Sequence, residues 1–235
     1  MGQGGASIPA TARSTSSATG GTAAQPGDTS KTGGRRSQRL LARARRYLPP
    51  LVLLGILVSL VVNCARPLTN TDTYFHLRFG EEFLHGWSLR HPGSVSTFAT
   101  QDWVPTQWLS EVVMARTEQW LGLAGLAWLS GLLEILLFVA VYAVVRHRAE
   151  PLVALPVTAA SLYAMQSGLS MRPQVLSYLF VAVVVGAWLR TLDDERVRWW
   201  LVPLVWLWTM LHGMWPVALM VGGLATLGLA LDRAP

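Results

Sequence analysis

The sequence predicts an all-α integral membrane protein, with about six transmembrane helices and amphipathic interfacial helices in its first outer loop. Three observations carry this reading. Of the 235 residues, 51% are hydrophobic and only 14% are Asp, Glu, Lys or Arg, where soluble domains carry about 25% charged residues. So few charges cannot cover so apolar an interior, and lipid is the solvent that fits. The apolar residues are also gathered into six segments. Finally, the positive charge is distributed unevenly between alternate connections. Composition excludes a soluble enzyme, a disulfide-stapled secreted domain and a coiled coil. Cys64 is the single cysteine, so no internal disulfide is possible.

Residues 1–34 are mostly Gly, Ser, Thr, Ala and Gln, with almost no large apolar side chains to offset chain entropy, and read as disordered. Residues 1–46 together read as a disordered, basic cytoplasmic tail ahead of a membrane domain at 47–235. Of the 19 Lys and Arg, seven lie between Lys31 and Arg46 with no acid among them. That run adjoins an apolar segment, so a membrane surface explains it better than nucleic acid, and no nucleic-acid partner is expected. Ala6 stands where a myristoylation signal wants Ser or Thr, and no small-residue cleavage site follows the apolar run.

The first apolar segment spans 48–65 and is entered through Pro49-Pro50, residues tolerated at a helix start. The others span 121–145, 151–166, 175–192, 199–211 and 215–231, the last two split by His212-Gly213. A span takes ~20 residues. The third and fifth are short, which leaves a re-entrant or surface-lying helix open for one of them. With the N-terminus inside, fourteen Lys and Arg fall on the inner side: Arg13, Lys31, Arg35, Arg36, Arg39, Arg43, Arg45, Arg46, Arg146, Arg148, Arg190, Arg196, Arg198 and Arg233. Five fall outside: Arg66, Arg78, Arg90, Arg116 and Arg172. The bias places both termini of a multi-pass cell-membrane protein in the cytoplasm.

The outer loop at 66–120 is the longest connection. Asp72 to Leu84 has the pattern of a short amphipathic helix ending at His85-Gly86, and 90–102 reads as irregular. Thr106 to Trp120 is amphipathic again, with Trp108, Leu109, Val112, Val113 and Trp120, and suits the headgroup level.

Asp72 and His76 are four residues apart, so a helix puts them on one face. An Asp at the outer surface can serve as a general base or metal ligand; from spacing alone the commoner role here is a helix N-cap, and the two are compatible. Glu111 follows Gln107 and Trp108 on the second amphipathic helix, where a lone Glu more commonly faces solvent. Arg172, before Pro173, can bind phosphate or snorkel to headgroups. His212 is either a functional intramembrane His or a hydrogen-bonded interfacial one at a Gly213 turn. Glu134, inside an apolar segment, reads as an interhelix hydrogen bond or as lining a cavity. The predicted topology collects Asp72, Glu111, Arg172 and His212 on the outer side. Nucleotide-binding loops and Cys/His metal clusters are absent from the sequence.

Four stretches in order resemble the N-terminal half of a bacterial GT-C type membrane glycosyltransferase. They are Asp72-Thr73-Tyr74-Phe75-His76-Leu77-Arg78-Phe79-Gly80, where many bacterial members have Asp-Thr-Trp-Trp-His; Thr106-Gln107-Trp108-Leu109-Ser110-Glu111; Arg172-Pro173-Gln174; and Trp208 to Gly213. Order and spacing cover residues 48–231. The resemblance implies catalysis at the outer face, with a polyprenyl-phosphate-linked sugar as donor and Asp72 as general base. His76, Glu111, Arg172 and His212 would then support it or contact the leaving phosphate. Some members use a divalent metal; no metal set follows from these residues. The chain has fewer spans than the family usually has, so a membrane partner supplying further spans is an expected companion. The other readings are a non-catalytic membrane subunit that kept the fold and, third, a small transporter using Glu134.

Overall fold

A computed structural model describes residues 29–64, 68–90, 93, 97–98, 100 and 104–233. The chain divides into two compact units, residues 1–40 and 41–235. In the first, the described residues form the N-terminal part of α1, Thr29–Cys64. That helix begins well before position 48, where the apolar pattern starts. Arg39, Leu40, Leu41, Ala42, Arg43, Ala44, Arg45 and Arg46 are all good helix formers, so charge there does not prevent a helix. Pro49 and Pro50 consequently lie inside α1, not at its start. Of the stretch 1–34 expected to be disordered, residues 1–28 lie outside the described residues, while the part from Thr29 onward belongs to α1.

In the second unit, α2 spans Thr71–Leu84. It stops at His85 and at Gly86, whose φ of 110° suits glycine. The next helix, α3, spans Trp108–Arg146 and breaks at Gly122, where φ is 64° and ψ is −170°. Only glycine adopts that region without strain. The amphipathic helix expected at 106–120 and the apolar segment expected at 121–145 are therefore two arms of one element. Beyond it come α4, Pro151–Ala164, then a 3₁₀ turn at Gln166–Gly168 and α5, Gln174–Asp194. The last two helices are α6, Leu201–Leu211, and α7, Pro216–Asp232. No strand occurs among the described residues. The irregular reading of 90–102 falls largely on residues outside those described.

Packing is organised around α3, which carries α2, α4, α5 and α6, while α7 packs on α5. One apolar cluster joins Leu77, Met114, Leu126 and Met171. A second, between α5, α6 and α7, centres on Val184, Trp208 and Ala218. Many large apolar side chains elsewhere face outward, among them Leu54, Leu121, Trp128, Val202, Trp206, Leu219 and Leu224. Two helices among the described residues, α3 and α5, are long and apolar enough to cross a membrane. The other apolar helices, α4, α6 and α7, are shorter. At one end, Arg148 pairs with Asp193 at 2.7 Å and His147 with the same carboxylate at 2.5 Å, fastening the α3–α4 turn to the end of α5.

Candidate functional site

The site is built where the start of α2, the start of α3 and two connecting turns converge. Asn70 caps α2, its side-chain oxygen accepting from the Asp72 backbone N–H at 2.9 Å. This corrects the capping role open to Asp72, which instead sits in the first helical turn. A carboxylate is favoured there because the free N–H groups and the helix dipole present positive charge. The same end of α2 is tied to the segment before α5. Thr73 Oγ1 donates to the Met171 carbonyl at 2.8 Å, and Asn70 Nδ2 donates to Ser170 Oγ at 3.1 Å.

These ties bring Asp72 and Arg172 together across 100 residues of sequence. Arg172 Nη1 donates to Asp72 Oδ2 at 2.8 Å, and Arg172 Nε donates to Ser170 Oγ at 2.8 Å. Asp72 is 54% exposed and Arg172 21%, so the pair faces outward from a half-buried base.

One turn further along α2, His76 meets the start of α3. His76 Nδ1 lies 3.0 Å from Glu111 Oε1, and Gln107 Nε2 donates to the same oxygen at 3.2 Å. Gln107 Nε2 also lies 3.2 Å from His76 Nδ1, so the three side chains form one cluster. Glu111 is fully buried, which overturns its reading as a solvent-facing residue. Its Oε2 has no hydrogen-bond partner among the described residues. The approach is permitted by Gly80: a Cβ there would stand 2.1 Å from the Glu111 backbone oxygen. By contrast, Glu81 and Glu82 behave as a solvated face, both pairing with Arg78 on α2 itself.

His212 reaches the same neighbourhood from the α6–α7 turn. Ser110 Oγ, on α3, donates to the Leu211 carbonyl at 2.6 Å and so ties that turn to the start of α3. Trp208 Nε1 donates to Ser177 Oγ at 2.7 Å, and Ser177 Oγ lies 2.8 Å from His212 Nδ1. The Ser177 hydroxyl, accepting from Trp208, is set to donate to His212 Nδ1, which leaves the ring proton on Nε2. Burial pushes the His212 pKa below its ordinary value, and the neighbouring His76 pushes the same way.

All five expected site residues thus fall on this one assembly, as an Asp72–Arg172 pair, a His76–Glu111 pair and a Ser177-held His212. Asn70, Ser170, Ser177 and Trp208 do the holding. Asn70 had a local signal, a capping residue just ahead of a helical pattern, and Trp208 opens the fourth of the stretches that carry the resemblance; Ser170 and Ser177 had none. A zinc-type site takes three protein ligands, and the His76–Glu111 contact supplies one imidazole and one carboxylate. The described residues include no group of three or more His, Cys, Asp or Glu arranged to hold an ion.

Beneath the Asp72–Arg172 pair lies a cavity of about 650 Å³. Asn70 and Thr73, which flank Asp72, line it, as do Ser170 and Met171, which precede Arg172. Glu134 lines its wall on α3, one of the two positions its sequence context allowed. Among known proteins, no family model, no curated protein and no solved structure matches the chain.

Proposed function

We propose that the chain is a multi-pass membrane glycosyltransferase of GT-C type, or the N-terminal half of one. It transfers a sugar from a polyprenyl-phosphate donor to an acceptor hydroxyl at the outer face of the cell membrane, with both termini cytoplasmic. The observation that carries this reading is the Asp72–Arg172 pair, solvent-exposed at its carboxylate and adjoining a cavity of about 650 Å³. A carboxylate and a guanidinium side by side suit a general base and a contact to the leaving phosphate, which supports the reading.

In the transfer step, an Asp72 carboxylate oxygen takes the proton of the acceptor hydroxyl. The acceptor oxygen forms a bond to the anomeric carbon. The bond from that carbon to the phosphate oxygen breaks, and its electron pair leaves on polyprenyl phosphate. Arg172 turns from Asp72 to the departing phosphate, where its charge counts most as negative charge develops. Neutral His212 and the His76–Glu111 pair add donors and a fixed framework beside it.

The test is transfer of labelled sugar from a polyprenyl-phosphate donor by membranes carrying the wild-type chain or Asp72→Asn. The variant is expected to lose activity by about a hundred- to ten-thousand-fold at unchanged membrane yield. Full activity in that variant would remove the general base.

A second reading is favoured by the same pair. As a tie between α2 and the segment before α5, it also suits a non-catalytic membrane subunit that kept the fold. In that case Asp72 is dispensable for the partner's activity, and affinity purification recovers a membrane partner with further spans.

A further inference from the structure

We infer that the cavity beneath the Asp72–Arg172 pair binds the uncharged, hydroxyl-rich head of a glycolipid-class amphiphile, the acceptor of the transfer. Its volume of about 650 Å³ falls within the ~300–1,000 Å³ of small-molecule sites. Its acceptor role rests on the transferase reading; its capacity to bind does not.

The lining decides the class of head group. Ser130 and Glu134 lie one turn apart on α3, and Tyr163 and Gln166 face the same space from the end of α4 and the turn after it. Hydroxyl and amide groups both donate and accept, and a carboxylate accepts strongly from O–H donors. A polyol presents several O–H groups that can both donate and accept, so it matches this set. A phosphate or sulfate head does not. Its negative charge would meet Glu134, and no Lys, Arg or His is among the described lining residues. The anionic part of a donor therefore belongs at Arg172, outside the cavity, and the neutral polyol inside it.

The same cavity has an apolar wall, with Ile135 and Phe138 on α3 and Leu162 on α4. A head group in contact with Glu134 can thus keep its hydrocarbon chain against apolar side chains. Asn70 and Thr73, the chain neighbours of Asp72, line the same cavity, and a hydroxyl of that head bound next to them would lie towards Asp72. An acid on an otherwise apolar helix is costly unless it meets polar groups, and Ser130, Tyr163 and Gln166 line the same cavity as Glu134.

The experiment uses the full chain in nanodiscs prepared without glycoside detergents. The probe is an alkyl glucoside carrying a photoreactive diazirine in its chain, with the labelled peptides mapped by mass spectrometry. Label is expected on residues 135–138 and 162–163, with octyl glucoside competing and octyl sulfate not. Glu134→Leu should weaken competition by octyl glucoside about tenfold, the loss expected when hydrogen bonds to a charged group are removed. Gln166→Leu, at an exposed position, should weaken it in the same direction and guards against misfolding of the first variant. Label outside the cavity, equal competition by the sulfate, or wild-type competition in both variants overturns the inference. Cavity labelling by a wild-type chain that transfers no sugar, alone or together with the membrane partner that co-purifies with it, overturns the transferase reading alone. Transfer accompanied by labelling elsewhere overturns this inference alone.

Discussion

Glu111 and His212 show how burial sets the character of single residues here. Glu111 is fully buried and shares Oε1 between His76 and Gln107. A buried carboxylate is tolerated only with such partners, because its desolvation is otherwise uncompensated. His212 illustrates the opposite case, a base kept neutral. Its pKa is pushed below the ordinary 6.5, first by burial and then by His76. Over that interval the unfolded chain binds the proton and the folded chain does not, so stability rises with pH. The contribution is complete above about pH 6.5 and is lost as the pH falls toward the folded value. The melting temperature of the purified protein should therefore be lower at pH 5 than at pH 7. His212→Gln, which keeps a polar contact to Ser177, should shrink that difference. An unchanged difference would show that His212 is not the group responsible. At this scale the sequence offered candidates but not their states. A solvent-facing Glu and a buried one have the same one-residue context.

Among the elements, α2 and α3 position the site, and two glycines fix how they do it. Gly122 turns α3, so its first arm carries Glu111 beside α2 and its second arm carries Glu134 along the cavity. Gly80 lets the two helices approach to contact at Glu111. Gly80→Ala puts a methyl group into the Glu111 carbonyl, and overpacking of this kind costs about 1–3 kcal/mol. Its melting temperature in detergent should fall by several degrees, whereas Gly223→Ala, where open space surrounds the added Cβ, should leave it unchanged or raised. Equal behaviour of the two variants would remove Gly80 from the contact. The element positions were largely legible, because apolar runs and their Gly, Pro and His interruptions are local signals. The start of α2 matched to within a residue, and the His212-Gly213 break falls between α6 and α7. The start of α1 was misplaced because a basic Leu/Ala/Arg stretch is helix-forming without being apolar.

At the scale of the molecule, the question is which end of the helices faces out. The proposed orientation puts the Asp72–Arg172 site outside and the Arg148–Asp193 end inside. It is tested on a Cys64→Ser background by adding one cysteine at a time. Ser88→Cys should react with a membrane-impermeant maleimide on intact cells. Val197→Cys, also exposed, should react only after lysis. The reverse pattern would invert the topology and put the site on the cytoplasmic side.

By itself the sequence determined that the chain is helical and apolar, where its helices lie, and which few polar residues interrupt them. These follow from composition and short-range periodicity, which each segment carries on its own. Only the tertiary structure decided that Asp72 meets Arg172, that His76 meets Glu111, and that Glu134 opens on a cavity. Such pairings join residues separated by 100 and 35 positions. They depend on how α2 and the later turns dock on α3, and that docking is set by side-chain fit, such as the space left at Gly80.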